Sequence, residues 1–246
     1  MVTIGDGGET PRRYVALYKP YSTLTSFEDD TPKALRTGRE RRQTLRDLSL
    51  PAGLHTVGRL DRDSEGLLLL TDDGDFCNRV LQGGVRKRYL ALVLGHPTED
   101  ALAVMARGGL NIRGRLTRPA LVRCLQQEEA AALQQQLPPP HPQASVLNAG
   151  NSCWLELLLM QGLNRQVRRT TQSAGHRTVR LVRMGIGALH AEQIGLLQPG
   201  EWSFVERWAV IDPSTELPRA AVTDDDEFSD IELRGESTRD LHGACE

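Results

Sequence analysis

Between two strand-like runs, Leu54 to Val57 and Leu67 to Thr71, the chain places Gly58-Arg59-Leu60-Asp61-Arg62-Asp63-Ser64-Glu65-Gly66, which carries two arginines and three carboxylates. Charges held this close to buried strands cannot be packed away without partners, so they face solvent, a ligand or each other. An ion-paired surface loop is one reading. A cation site is another: Asp61-x-Asp63-x-Glu65-Gly66, followed five residues later by Asp72, nearly fits the calcium-loop template. That template needs a helix on each side, whereas here Leu67 to Leu70 stand where further ligands would be.

The surroundings give the fold class. Tyr14 to Tyr18 is a short apolar strand stopped by Lys19-Pro20, because proline cannot continue a ladder. Asp73-Gly74 is a turn signal after the second run, and Arg88 to Leu94 is a further strand ended by Gly95-His96-Pro97. Thr98 to Arg107 is a helix with Thr98 as N-cap and Gly108-Gly109 at its end. Gln126 to Gln136 is a second helix, and the proline-rich Leu137 to Pro142 opens an irregular connection up to Asn151. Trp154 to Met160 is a strand, Asn164 to Ala174 a helix capped by Asn164 and ended by Gly175, and Val179 to Met184 and Trp202 to Val205 are strands. Strands outnumber helices, giving an α+β class.

Gly162-Leu163-Asn164-Arg165-Gln166-Val167-Arg168-Arg169 is the second charged feature. Arg165, Arg168 and Arg169 fall at i, i+3 and i+4, on one face near a helix N-terminus. Three arginines there oppose the macrodipole unless a carboxylate or phosphate compensates them; a solvated basic face is the plain alternative. Arg36, Arg39, Arg41, Arg42 and Arg46 form another basic stretch, read either as a solvated surface or as part of an RNA path.

The net charge of -2 conceals an asymmetry. Residues 221–246 hold nine acids against Arg234 and Arg239, and without them 28 basic and 23 acidic residues remain. Lys19, Lys33 and Lys87 are the only lysines among 30 basic residues. Arginine grips phosphate bidentately and stacks on bases, so a nucleic-acid partner fits, although a GC-rich genome gives the same bias. The tail, acidic and poor in large apolar residues, reads as disordered.

With 246 residues, 39% hydrophobic, the chain can bury a core. Its start lacks a basic region followed by an apolar run, and no stretch approaches the ~20 apolar residues of a membrane span. A cytoplasmic protein is expected. Cys77, Cys124, Cys153 and Cys245 show neither metal-ligand spacing nor a disulfide pattern.

Taken in order, these segments resemble the RsuA-type ribosomal RNA pseudouridine synthases. Gly58 to Thr71 resembles the family's catalytic segment, Lys19-Pro20 its early Lys-Pro motif, Lys87-Arg88-Tyr89 its K-x-Y strand, and Asn164-Arg165-Gln166-Val167-Arg168-Arg169 its arginine helix. Gly175-His176 through Ile186 and Pro199-Gly200-Glu201-Trp202 are similar to its closing segments. Lys19 lies too near the start for the S4-type domain many members carry, and in this the chain is similar to the large-subunit RluE type. Leu163, Gln161 and Thr170 depart from the usual basic residue, Glu and Met.

The resemblance implies an α+β synthase domain over residues 14–212, with a mixed or antiparallel sheet in two halves around a central RNA cleft. It is preceded by an extension (1–13) and followed by the acidic tail (213–246). It implies isomerisation of a uridine in RNA, most plainly a large-subunit ribosomal stem-loop, by a monomer without cofactor or metal. Asp61, Tyr89 and Arg168 are the implied catalytic residues, with Asp61 attacking C1′ or C6 or assisting ribose deprotonation and Arg168 ion-pairing Asp61. Arg59, Arg62, Lys19, Lys87, Asn164, Arg165 and Arg169 are the implied RNA-binding residues. Arg59 would fill the space left by the flipped uridine, and Tyr89 would stack on its base. The rivals are a non-catalytic RNA-binding or ribosome-assembly factor with the same fold, an N-glycosidase pairing Asp61 with Asp63, and the calcium loop.

Overall fold

A computed structural model describes residues 11–29, 41–82, 84–140 and 151–211. Most of the N-terminal extension, residues 30–40 of the arginine-rich stretch, the 141–150 part of the irregular connection and the acidic tail lie outside the described residues.

A mixed sheet organises the chain, with strands in the order β11-β1-β3-β9-β4-β8-β7. They are β1 (Tyr14–Lys19), β3 (Glu65–Thr71), β4 (Lys87–Leu94), β7 (Leu121–Cys124), β8 (Ser152–Leu159), β9 (Thr178–Ile186) and β11 (Trp202–Phe204). Short strands β2 (His55–Thr56) and β10 (Leu189–His190) attach to β3 and β9. The sheet has the two expected halves. Within each, neighbours are antiparallel, and the halves meet along a parallel contact of two residue pairs, Glu65 with Val182 and Gly66 with Arg183.

The central strands read as unbroken apolar runs because both faces are covered. Ala16, Tyr18, Leu67 and Leu69 face one cluster with Phe76 and Val80. Val15, Leu17, Leu68 and Leu70 face another with Leu45, Leu54 and Leu60. This period of two ties the charged loop to the core, since Leu60, its apolar member, is buried in the second layer.

Gly66 makes the junction possible. Its φ is +100°, and a Cβ there would stand 2.3 Å from the Arg183 carbonyl oxygen. Two arginines of β9 then bolt the halves together across it. Arg180 forms a buried ion pair with Glu65 at 2.6 Å, and Arg183 Nε donates to the Leu67 carbonyl at 2.7 Å.

Several elements differ from the sequence reading. Asp73-Gly74 opens helix α1 (Gly74–Gln82) rather than making a turn: Asp73 accepts from the Phe76 amide at 2.9 Å, and Phe76 and Val80 bury one face. Aspartate serves N-caps and turns alike, and only the i, i+4 apolar pair separates the two cases. Helix α2 (Glu99–Arg107) has Thr98 as its cap, and α3 spans Gln127–Gln136. Helix α4 (Gln166–Ser173) starts at Arg165, which holds φ 51°, so Asn164 is not its cap. The side chain of Gln166 instead reaches back to the Leu163 amide at 3.0 Å. The hairpin of β5 (Asn111–Ile112) and β6 (Arg115–Leu116), and strand β7, had no clear sequence period. No helix among the described residues is long and apolar enough to cross a membrane.

Candidate active site

The charged loop reaches the surface where the two half-sheets join. Asp61-Arg62-Asp63-Ser64 is a turn closed by the Ser64 amide donating to the Asp61 carbonyl at 3.0 Å. Ser64 and Glu65 are buried below it, while the Asp61 and Asp63 side chains are about one-third exposed.

Asp61 and Asp63 share Arg165, whereas Glu65 pairs with Arg180. Asp63 receives a bidentate pair from Arg165 at 2.9 and 2.8 Å and lies 3.4 Å from Arg168 Nε. Burial raises the Asp63 pKa, but the Arg165 hydrogen bonds and the charges of Arg168 and Arg165 outweigh it and leave it below the usual carboxylate range. Arg165 Nη1 also stands 3.5 Å from Asp61 Oδ2. Glu65 turns inward to Arg180. The three carboxylates therefore do not gather round a cation, and the loop runs into a strand rather than a helix, so the calcium template loses both ligands and flanks.

Arg168 takes a different place from the one the resemblance implies. Its Nη2 donates to the Asp63 carbonyl at 2.6 Å and its Nη1 to the Thr178 carbonyl at 3.0 Å, stapling α4 and β9 to the loop. The direct ionic neighbour of Asp61 is Arg165, one helical turn away. Burial lowers the Arg168 pKa, with the charge of Asp61 among the effects that oppose this.

From the other side, the segment after β1 holds the loop by its backbone. Thr25, almost fully buried, donates its hydroxyl to the Leu60 carbonyl at 2.6 Å and accepts from the Leu60 amide at 3.2 Å. The amide and the carbonyl of Leu60, the residue before Asp61, are thus both tied to one side chain. Arg62 donates to Ser22 at 3.2 Å. Lys19, fully buried, donates to the carbonyls of Pro20 and Thr23 at 2.8 and 2.7 Å, and burial brings its pKa down to about 7. Its ammonium is a strut under this segment, out of reach of a phosphate at the surface. Lys87 is buried as well, and burial followed by the charge of Arg183 brings it to about 8.

Tyr89 lies on β4 beside a register shift between Arg88 and Tyr89, opposite Arg183, and is half-buried between two core clusters. Irregularities of this kind are over-represented next to active sites, where they can redirect a side chain. Arg59, Asn164 and Arg169 are exposed. Arg41 and Arg46 pair with Asp47 and Glu28 at the surface, whereas Arg42 pairs with Asp29, whose side chain is buried. Sequence reasoning missed Thr25, Arg180 and Arg183. Each acts through a backbone group or a buried partner that no spacing rule reveals.

The chain matches the RNA pseudouridylate synthase family over residues 13–173. It is 41% identical over 199 residues to the ribosomal large subunit pseudouridine synthase E of Xanthomonas campestris pv. campestris, covering 80% of this chain and 97% of that one. The corresponding Vibrio vulnificus protein is 37% identical over 193 residues, covering 78% and 74%. A crystal structure of a pseudouridylate synthase has the same fold, with TM-score 0.60 and 24% identity over 81% of this chain and 73% of that one.

Proposed function

The chain belongs to the RNA pseudouridylate synthase family and is an RNA pseudouridine synthase, and from that premise we propose that it isomerises a uridine of large-subunit ribosomal RNA with Asp61 as the reacting carboxylate. The observation that carries the assignment is the position of Asp61. It sits part-exposed on a turn fixed by Thr25 behind and by Arg165 beside it, where the two half-sheets meet. Relatives named as large-subunit synthases support the substrate, and a ribosomal substrate is consistent with the cytoplasmic reading.

The reaction breaks the N1–C1′ bond, turns the uracil over and joins C5 to C1′, with the C5 proton released to solvent and a proton taken up at N1. The uridine must first leave its helix, at a cost of a few kcal/mol of unstacking. Asp61 then acts at C1′, at C6 or on a ribose proton. Tyr89 stacks on the extruded uracil, and Arg59 fills the space it vacates. Arg168 acts by fixing the Asp63 backbone, and so the turn that carries Asp61. Arg62, Asn164, Arg165 and Arg169 meet phosphates. Lys19 and Lys87 support the site from beneath.

The test is tritium release from large-subunit ribosomal RNA transcribed with uridine labelled at C5. The wild-type protein should release label at one site and Asp61→Asn should release none while still binding. Binding without release by the wild type would favour the assembly-factor reading.

A further inference from the structure

Beside the turn lies an open cleft of about 600 Å³, lined by Asp63 of the turn and by residues of two other segments. Its wall is one face of α4, where Arg165, Arg169 and Gln172 recur at helical spacing. Arg177 and Asn111 enter from two other elements, and Asp63 stands at the inner end. Arg168 also lines it, so four arginines face one carboxylate. Arg165 and Arg168 are engaged by Asp63 and backbone carbonyls. The exposed Arg169 and Arg177 have no side-chain partner among the described residues.

The far wall is fixed in place. Gln161 accepts from the Arg118 amide at 3.0 Å and donates to the Leu116 carbonyl at 3.3 Å, fastening the β5–β6 hairpin to the end of β8. The Asn111 side-chain carbonyl accepts from the Gly114 amide at 2.8 Å, which leaves its amide group free to donate outward.

We propose that this cleft is a second RNA subsite, which takes the phosphodiester backbone next to the reacting uridine through Arg177, Arg169 and Asn111. The inference rests on the synthase reading. The chemistry is that of an anion held by guanidinium forks, and the cleft begins at Asp63, two residues from Asp61, so a strand whose uridine has entered the site continues into it. One phosphate neutralised by Arg177 contributes roughly 0.7 to 0.9 to the dependence of log affinity on log salt.

The experiment compares wild type, Arg177→Ala and Arg177→Lys with Arg12→Ala, an exposed arginine in the other half of the sheet. RNA binding is measured across a salt series, and single-turnover pseudouridine formation at saturating RNA. Arg177→Ala should weaken binding on the order of tenfold at low salt and flatten the salt slope by about one, with the saturated rate unchanged. Arg177→Lys should restore the slope. A slope and affinity for Arg177→Ala equal to those of Arg12→Ala would overturn the proposal, as would loss of inorganic phosphate binding with RNA binding intact, which would mean a small-anion site. Binding decides the cleft, whereas a wild type that binds RNA and forms no pseudouridine would refute the reaction.

Discussion

Replacing Thr25 with valine keeps the shape of the side chain and removes only the hydroxyl that grips Leu60. The variant leaves the amide and carbonyl of Leu60, a residue only 6% exposed, without the partner they have at 3.2 and 2.6 Å. Each buried group left unpaired costs about 1–3 kcal/mol, and the variant no longer has to desolvate a hydroxyl, so the net loss should be about 2–4 kcal/mol. Urea unfolding with linear extrapolation reads that directly. The kinetic effect should be concentrated in one parameter. The peptide before Asp61 is released while the phosphate-facing arginines are untouched, so the single-turnover rate at saturating RNA should fall about 10- to 100-fold, with RNA affinity within about twofold. Thr25→Ser, which keeps the hydroxyl, should recover most of both losses. A Thr25→Val protein within ~0.5 kcal/mol of wild type, the usual range for surface substitutions, and within twofold in rate would show that the backbone grip does not position Asp61.

Gly66→Ala puts a Cβ 2.3 Å from the Arg183 carbonyl at a φ of +100°, and should cost at least about 3 kcal/mol. A thermal scan should show the midpoint roughly 6–12 °C lower, and a shift under about 2 °C would refute the account of the junction. Lys19 has a pKa of about 7 in the folded protein against the ordinary 10.5, so between those values the unfolded chain binds more protons and stability rises with pH. The gain between pH 7 and 9 should be about 2 kcal/mol in denaturation of wild type, roughly half of the full linkage between the two pKa values, and be smaller in Lys19→Met. A difference between the two proteins that stays constant across that range would mean that Lys19 does not titrate there.

How much was legible follows from where the information lies. Strands β1 and β3 were visible because burial on both faces writes an unbroken apolar run. The turn at Asp61 was visible because its charges interrupt that run. Helix α1 was not, because Asp73 suits a cap as well as a turn, and β5 to β7 are too short or too exposed to show a period. At the site, the types Asp61, Arg165 and Arg168 were readable, but their pairing was not. Arg165, in a left-handed conformation, caps α4 one position after Asn164, and its guanidinium stands 3.5 Å from Asp61. Lys19 and Lys87 are charged in the sequence and buried in the fold. Only the topology, which flanks β1 and β4 with a strand on each side, reveals that both are buried.

The central claim, that Asp61 turns a ribosomal uridine into pseudouridine, is tested most directly by mapping pseudouridine in ribosomal RNA from cells that lack this protein and are complemented with wild type or Asp61→Asn. Carbodiimide labelling followed by reverse transcription reads every position at once. The account predicts one large-subunit stop that is lost in the deletion, returns with wild type and stays absent with Asp61→Asn. A ribosomal map unchanged by the deletion, or a stop restored equally by Asp61→Asn, would contradict it.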